Sequence, residues 1–448
     1  MASAALLTCS CVLFLLLSYR SNLANGEVQG HHKVQRRSLN PGAVCSPLKG
    51  SNVTTIRLVS RYGPCSPFET KELPSLEKIL LKDQLRVNYL LKGVAKSSTE
   101  SQRDDSKVSI SAMDAGGAYA ITVGYGTPSR EQTVMMDTGS DLSWIQCKPC
   151  KVCYSQKEPI FDPSQSSSYA AIPCNSQDCS QLGGNCSSSC AYVIAYGDGS
   201  NSSGVYSYDR LTLSPNDVIE HFLFGCSTDN EGPFPEAAGL VGLSRGNLSL
   251  VSLTSQLYHS VFSYCLPSTS SNTGFLKLGE PSDASNTVYT GMLTSSTFPS
   301  VYFVDLIGIS VGGQQLAISP SVFRSGGTVL DSGTTFTYLP PSAYEALRSA
   351  FREHMSAYPL KPTNGLLDTC YDFSGYETKP VPASITLHFG DGVALDVDSS
   401  GILVDDCLAF SANQVDDPGI IGNVQQRTYE VVYDVGNERI GFAPHACS

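Results

Sequence analysis

Short apolar runs broken by turn signals dominate the chain from residue 117 onward. "AYAITVGYG" (118–126), "VYFVDLIGISVGG" (301–313) and "YEVVYDVGNERIGFA" (429–443) alternate or cluster β-branched and aromatic residues as strands do. Helical spacing is sparse in this body. Its best case is "PPSAYEALRSAFREHM" (340–355), where Pro341 and Ser342 suit a helix start. Ahead of the body, "LPSLEKILLKDQLRVNYLLKGV" (73–94) places Leu76, Ile79, Leu80, Leu85, Val87 and Leu90–Leu91 at near-helical intervals. The pattern predicts an all-β body preceded by a partly helical leader.

The repetition of one pattern sharpens this. "TVMMDTGSDL" (133–142) ends an apolar run on a carboxylate, Asp137, and follows it with small and hydroxyl residues. "TVLDSGTTFT" (328–337) does the same at Asp331. Downstream of each copy comes an apolar pair and a glycine, "GLVGL" (239–243) and "GIIGN" (419–423). A chain that carries one motif twice can fold into two similar lobes facing across a pseudo-dyad, so Asp137 is expected to meet Asp331. Burying an unpaired charge at a strand end is costly, and two adjoining carboxylates share a proton instead. The ionised member is then a general base for water and the protonated member an acid for a carbonyl. Gly139 and Gly333 permit the tight loops, Thr138 and Ser332 can bond across the dyad, and Ser140 and Thr334 can orient the carboxylates.

Charge divides the chain. Residues 1–116 hold 15 Lys and Arg against 9 Asp and Glu, whereas residues 117–448 hold 14 against 32. A basic leader before an acidic body suits a pro-segment lying over a negative surface, with acid loosening the attraction. The acidic body argues against nucleic-acid binding. The apolar run "AALLTCSCVLFLLL" (4–17) with small residues near 23–26 reads as a secretory signal peptide over residues 1–25, and no later run approaches membrane-spanning length. Twelve of the 16 cysteines lie in the body, which implies about six disulfides in an exported protein. No metal and no cofactor are expected, the cluster "CKPCKVC" (147–153) included. Asn52, Asn201 and Asn247 are candidate glycosylation sites.

With these motifs the body resembles a pepsin-fold aspartic protease, specifically the plant nepenthesin-like group that includes proteins labelled chloroplast nucleoid DNA-binding-like. The resemblance implies an all-β, bilobal, pseudo-two-fold fold. It implies a signal peptide (1–25), a pro-segment (26–116), an N-terminal lobe (117–290) carrying a cysteine-rich insertion between Cys147 and Cys190, and a C-terminal lobe (291–448). "AYGDGS" (195–200) matches the family's flap, which places the flap tyrosine at Tyr196, and Trp144, the only tryptophan, stands where its indole partner does. Gly197, Asp198, Gly333 and Thr334 would line the cleft, with Asp198 favouring basic or neutral substrate residues. The closing region carries Asn423 where pepsin has Asp, and "RLVSRYGPCSPF" (57–68) resembles pro-segments of the group without their histidines. The resemblance also implies the pairs Cys265–Cys447 and Cys370–Cys407.

The function expected is acid endopeptidase, made as a zymogen, with polypeptide substrates and its own pro-segment as partners. A monomer is expected, secreted to the apoplast or cell wall rather than held in vacuole or chloroplast. Two other readings compete. "GLSRG" (242–246) fits a serine-hydrolase elbow at Ser244, but the β-rich surroundings lack the strand–helix alternation that elbow needs. A pepsin-fold relative that binds or inhibits another protein is the stronger rival, although such relatives typically lose part of the catalytic set that stands intact here.

Overall fold

The computed structural model describes Cys45, residues 55–69, 73–96 (side chains to 87) and 119–448, except for 184, 187–188, 197–198, 233, 268–271, 325, 364–366, 414–417, 445–446 and 448. The expected signal peptide, Asn52, Gly197 and Asp198 therefore lie outside the described residues.

Strands dominate the described residues, among which one 20-stranded hydrogen-bonded system stands beside a 4-stranded and a 2-stranded sheet. The two copies of the motif fold alike. In the first, Tyr119–Tyr125 and Arg130–Asp137 form an antiparallel hairpin, and Gly239–Gly242 runs parallel to the second strand with Gly242 opposite Asp137. In the second, Gly419–Ile421 runs parallel to Thr328–Leu330, and Asp331 N–H donates to the Ile421 carbonyl. The downstream glycine of each copy has the same cause. A Cβ on Gly242 would lie 2.1 Å from the Asp141 carbonyl oxygen, and one on Gly422 2.3 Å from that of Phe336. Only glycine lets the downstream strand pass this close to the aspartate loop.

The lobes share a central sheet. Val261–Cys265 pairs with Thr273–Leu278 and with Glu430–Asp434, which continues through Arg439–Ala443 to Val288–Leu293. A strand of the leader, Thr55–Ser60, enters the same sheet between Thr273–Leu278 and Tyr119–Tyr125. Leader residues Ile56 and Leu58 belong to the largest hydrophobic core, which spans both lobes.

Two helices follow the sequence pattern. The body helix covers Pro341–His354, starts on Pro341 and buries Ala343, Tyr344, Leu347 and Phe351, at helical intervals. The leader helix covers Leu76–Lys96 and lays Ile79, Leu80 and Val87 on a second core with Phe303, Val329, Phe336 and Tyr338. Leu85, which spacing assigns to the buried face, is 41% exposed. The buried stripe runs instead through Ile79, Leu80, Asp83, Arg86 and Val87, so two charged side chains lie on the buried face and Leu85 does not.

Seven disulfides join described residues. Six lie in the body: Cys147–Cys226, Cys150–Cys153, Cys174–Cys186, Cys179–Cys190, Cys265–Cys447 and Cys370–Cys407. The seventh, Cys45–Cys65, is internal to the leader. All three cysteines of "CKPCKVC" are thus disulfide-bonded.

Candidate active site

Each aspartate sits where its strand ends and is held by the turn that follows. Gly139 N–H donates to Asp137 Oδ1 at 2.9 Å and Ser140 Oγ to Oδ2 at 2.6 Å. Gly333 N–H donates to Asp331 Oδ1 at 3.1 Å and Thr334 Oγ1 to Oδ2 at 2.5 Å. The two loops are therefore superimposable in their bonding, residue for residue.

The loops are locked together across the pseudo-dyad. Ser332 N–H donates to Thr138 Oγ1 at 3.0 Å, Thr138 N–H donates to Ser332 Oγ at 3.3 Å, and the two hydroxyls lie 3.1 Å apart. Both residues are 2% exposed, so water cannot replace a lost bond easily. Thr138→Val keeps the shape but strands the buried Ser332 N–H, and is expected to destabilise the fold by about 1–3 kcal/mol. Thermal unfolding would register this as a lowered midpoint; an unchanged melting curve would mean the grip carries no stability. Asn423, where pepsin has Asp, donates from Nδ2 to the carbonyls of Ser332 (3.1 Å) and Thr334 (2.8 Å). An amide can make both bonds at any pH, whereas an ionised carboxylate has no proton to give.

A hairpin of Cys190–Ala195 and Asn201–Ser214 stands beside the first aspartate, with Ala195 opposite Asn201. Tyr196 follows the first strand, and its N–H donates to the Ser200 carbonyl at 2.8 Å. The indole Nε1 of Trp144 donates to the Tyr196 hydroxyl, and both side chains are buried. Burial pushes the Tyr196 phenol well above its usual range, and the charge of Asp137 adds to this. Phe234, which no motif singles out, packs edge-on against both rings at 5.5 and 6.3 Å.

The leader supplies what the sequence pattern hid. Arg86, 1% exposed, lies between the aspartates. Its Nε and Nη2 donate to Asp331 Oδ2 and Oδ1, each at 2.7 Å, and Nη2 also reaches Asp137 Oδ1 at 3.1 Å. A Cβ on Gly333 would fall 2.4 Å from Nη2, so the guanidinium rests directly on that glycine. Burial alone would raise the Asp331 pKa, but Arg86 outweighs it and holds the carboxyl below the usual range. One turn earlier Asp83 caps the far side: Thr335 N–H lies 3.0 Å from both its oxygens and Phe336 N–H donates to Oδ2 at 2.9 Å. Burial pushes the Asp83 carboxyl up to about 7, against the pull of those N–H groups. The only sequence signal for this pair is its register: two charges at helical spacing from Ile79, Leu80 and Val87, on the apolar stripe.

Other candidates lie apart from the dyad's bonding. Ser244 is fully buried, donates to Asp141 Oδ1 and accepts from Gly246 N–H at 2.9 Å, which makes it a strut of the first loop. Asn247 is exposed, while Asn201 is half-buried and reaches Glu231 at 3.4 Å.

Comparison with known proteins agrees with this geometry. Residues 119–280 match the family model described as xylanase inhibitor N-terminal, and 301–444 the one described as xylanase inhibitor C-terminal. The aspartyl protease AED1 of Arabidopsis thaliana is 40% identical over 99% of this chain and 98% of its own length. The aspartic proteinase nepenthesin-2 of Nepenthes gracilis is 38% identical over 74% of this chain and 78% of its own. Among solved structures, the protein titled edgp aligns with a TM-score of 0.61 at 20% identity, covering 74% of this chain and 93% of that one. Soybean basic 7S globulin aligns with a TM-score of 0.59 at 18% identity, covering 74% and 92%, and these two likenesses speak to fold alone. The fold is all-β and pepsin-like, and the chain belongs to the plant pepsin-type aspartic protease family.

Proposed function

We propose that the chain is the zymogen of a secreted aspartic endopeptidase that hydrolyses polypeptides at acidic pH. The observation that carries this reading is the convergence of Asp137 and Asp331 on one guanidinium, which puts the two carboxylates at a single point between the lobes. With Arg86 gone, two buried carboxylates this close cannot both stay charged and would share a proton. The ionised member takes a proton from a water held between them as that water attacks the peptide carbonyl, while the protonated member hydrogen-bonds the carbonyl oxygen. Ser140 and Thr334 fix the outer oxygens, so both inner oxygens are left to the water and the substrate. Tyr196, braced by Trp144, would close over the bound peptide.

Seven disulfides favour an oxidising compartment, and no described helix is long and apolar enough to cross a membrane. Export to the apoplast or cell wall is the compartment we assign. The test is digestion of a denatured protein by the acid-treated chain beside Asp137→Ala, with the products identified by mass spectrometry. Cleavage by the first and none by the second is expected. A correctly processed, folded chain that cleaves nothing would favour the second reading, a protein-binding or inhibitory role, which the xylanase-inhibitor description of the matching family models keeps open.

A further inference from the structure

Each aspartate loop is also held through its own backbone carbonyl, and two buried tyrosines close those bonds. The Asp137 carbonyl accepts from Leu243 N–H at 2.9 Å, and the Leu243 carbonyl in turn accepts from the Tyr302 hydroxyl at 2.7 Å. Tyr302 precedes the strand Phe303–Val304, and its own carbonyl accepts at 2.9 Å from the N–H of Leu330, the residue before Asp331. One phenol thus completes a path of three hydrogen bonds between the two loops.

A second path runs the opposite way. The Asp331 carbonyl lies 3.2 Å from Gln426 Nε2, which also faces the carbonyls of Ile421 (2.9 Å) and Gly422 (3.2 Å). That turns Gln426 Oε1 to the Tyr264 hydroxyl, which donates to it and accepts from the Tyr433 hydroxyl at 2.9 Å. Tyr264 follows the first motif copy in the chain, on Val261–Cys265, and Tyr302 lies ahead of the second copy. Each phenol therefore reaches the group that clasps the other copy's aspartate. The rings meet at Tyr433, which packs edge-on to Tyr302 at 4.5 Å and tilted to Tyr264 at 5.7 Å, while Phe262 stacks on it at 4.5 Å. Tyr264, Tyr302, Tyr433 and Gln426 are each 1% exposed or less, so water does not replace a lost phenol.

We infer that Tyr264 and Tyr302 are positioning residues that set the spacing of the two carboxylates, separately from the Thr138–Ser332 grip. The closer two carboxylates lie, the further apart their two apparent pKa values are driven. A reaction that needs one ionised and one protonated member works between those values. Loosening either strut narrows that range from both ends, because the acid limb rises and the alkaline limb falls. This rests on the peptidase reading proposed above.

The test compares Tyr302→Phe and Tyr264→Phe with Tyr344→Phe, all in the full chain. Tyr344 is the control, a buried phenol on the body helix that donates to Asp368 Oδ1 at 2.6 Å and belongs to neither path. In uncut chain, hydrogen exchange at the Leu243 amide in Tyr302→Phe and at the Asp331 amide in Tyr264→Phe is expected to quicken about tenfold. In acid-treated chain, both variants should lower kcat about ten- to a hundredfold with KM little changed, and narrow the bell of rate against pH. Tyr344→Phe should lower the melting point and leave that exchange and the bell unmoved. Unchanged exchange, or a bell of unchanged width in active variants, would overturn the inference and leave the proposed function standing. A bell that Tyr344→Phe narrows as much would overturn it too. Quickened exchange in the variants of a chain that cleaves nothing would sink the proposed function and leave the struts in place.

Discussion

Arg86→Met in the full chain is expected to weaken the hold of the leader helix by a hundredfold or more. Breaking one partner out of a buried ion pair typically costs about 3–5 kcal/mol, because the charge left behind has neither water nor a counter-ion. Here one guanidinium serves two carboxylates, at 2.7 and 3.1 Å, and all three groups are buried. Methionine keeps much of the stem's packing and removes only the charge. The measurement is peptide cleavage by uncut chain at pH 5, where the variant should show activity the wild type lacks. Equal latency of the two would place the inhibition elsewhere in the leader.

The pH at which the wild type opens follows from signs. Asp331 is held low while Arg86 is docked, so its ion pair contributes fully above the ordinary carboxylate range and is lost as pH falls through the depressed value. Asp83 works the other way. Its docked pKa lies at about 7, so its share is complete below about pH 4, the ordinary aspartate value, and is lost as pH rises through 7. Acid release therefore comes from the dyad and not from Asp83, which resists it. In Asp83→Asn the Thr335 and Phe336 amides, which now bond to the carboxylate, should lose the fall in exchange protection that the wild type shows between pH 6 and 8. A fall of equal size in the variant would remove Asp83 from the account.

Asp331→Asn, in chain freed of its helix, is expected to lower kcat/KM by about a thousandfold or more with little change in KM. Positioned acid–base groups contribute about 100- to 10,000-fold, and an amide can neither take the water's proton nor return it. The amide oxygen would still accept from Gly333 N–H, and its NH2 group would donate to Thr334 Oγ1 in place of the bond now accepted there, so the loop should keep its shape. A variant that kept most of its rate would mean that the water is activated by another group. Loss of rate together with a collapsed melting point would point to structure, which Thr138→Val separates by loosening the loops without touching either carboxylate.

What the sequence made legible has a physical pattern. Asp137 and Asp331 stood out because a buried strand ending on a charge is rare, and because the same oddity occurs twice with the same downstream glycine. The structure explains that glycine at Gly242 and Gly422 by direct contact with the aspartate loops. Arg86 and Asp83 did not stand out. A charge on an amphipathic helix is ordinarily solvated, and only the three-dimensional docking turns the stripe from Ile79 to Val87 into a buried face with two ions in it. Leu85 was misplaced for the same reason. The strand Thr55–Ser60 was missed because six residues carry too little pattern by themselves, and its pairing partners lie as far away as Lys277. Phe234 gave no signal because its role is contact with Trp144 and Tyr196, which spacing cannot reveal.

The central claim is that Asp137 and Asp331 act as one peptide-hydrolysing unit. The most direct measurement is the rate of cleavage of a quenched fluorescent peptide by the helix-free chain from pH 3 to 7, with and without pepstatin. A rate that peaks in acid, falls as the shared proton is lost and vanishes with the inhibitor is the result expected. A folded, helix-free chain whose rate stays at zero throughout, or whose activity ignores pepstatin, would contradict it.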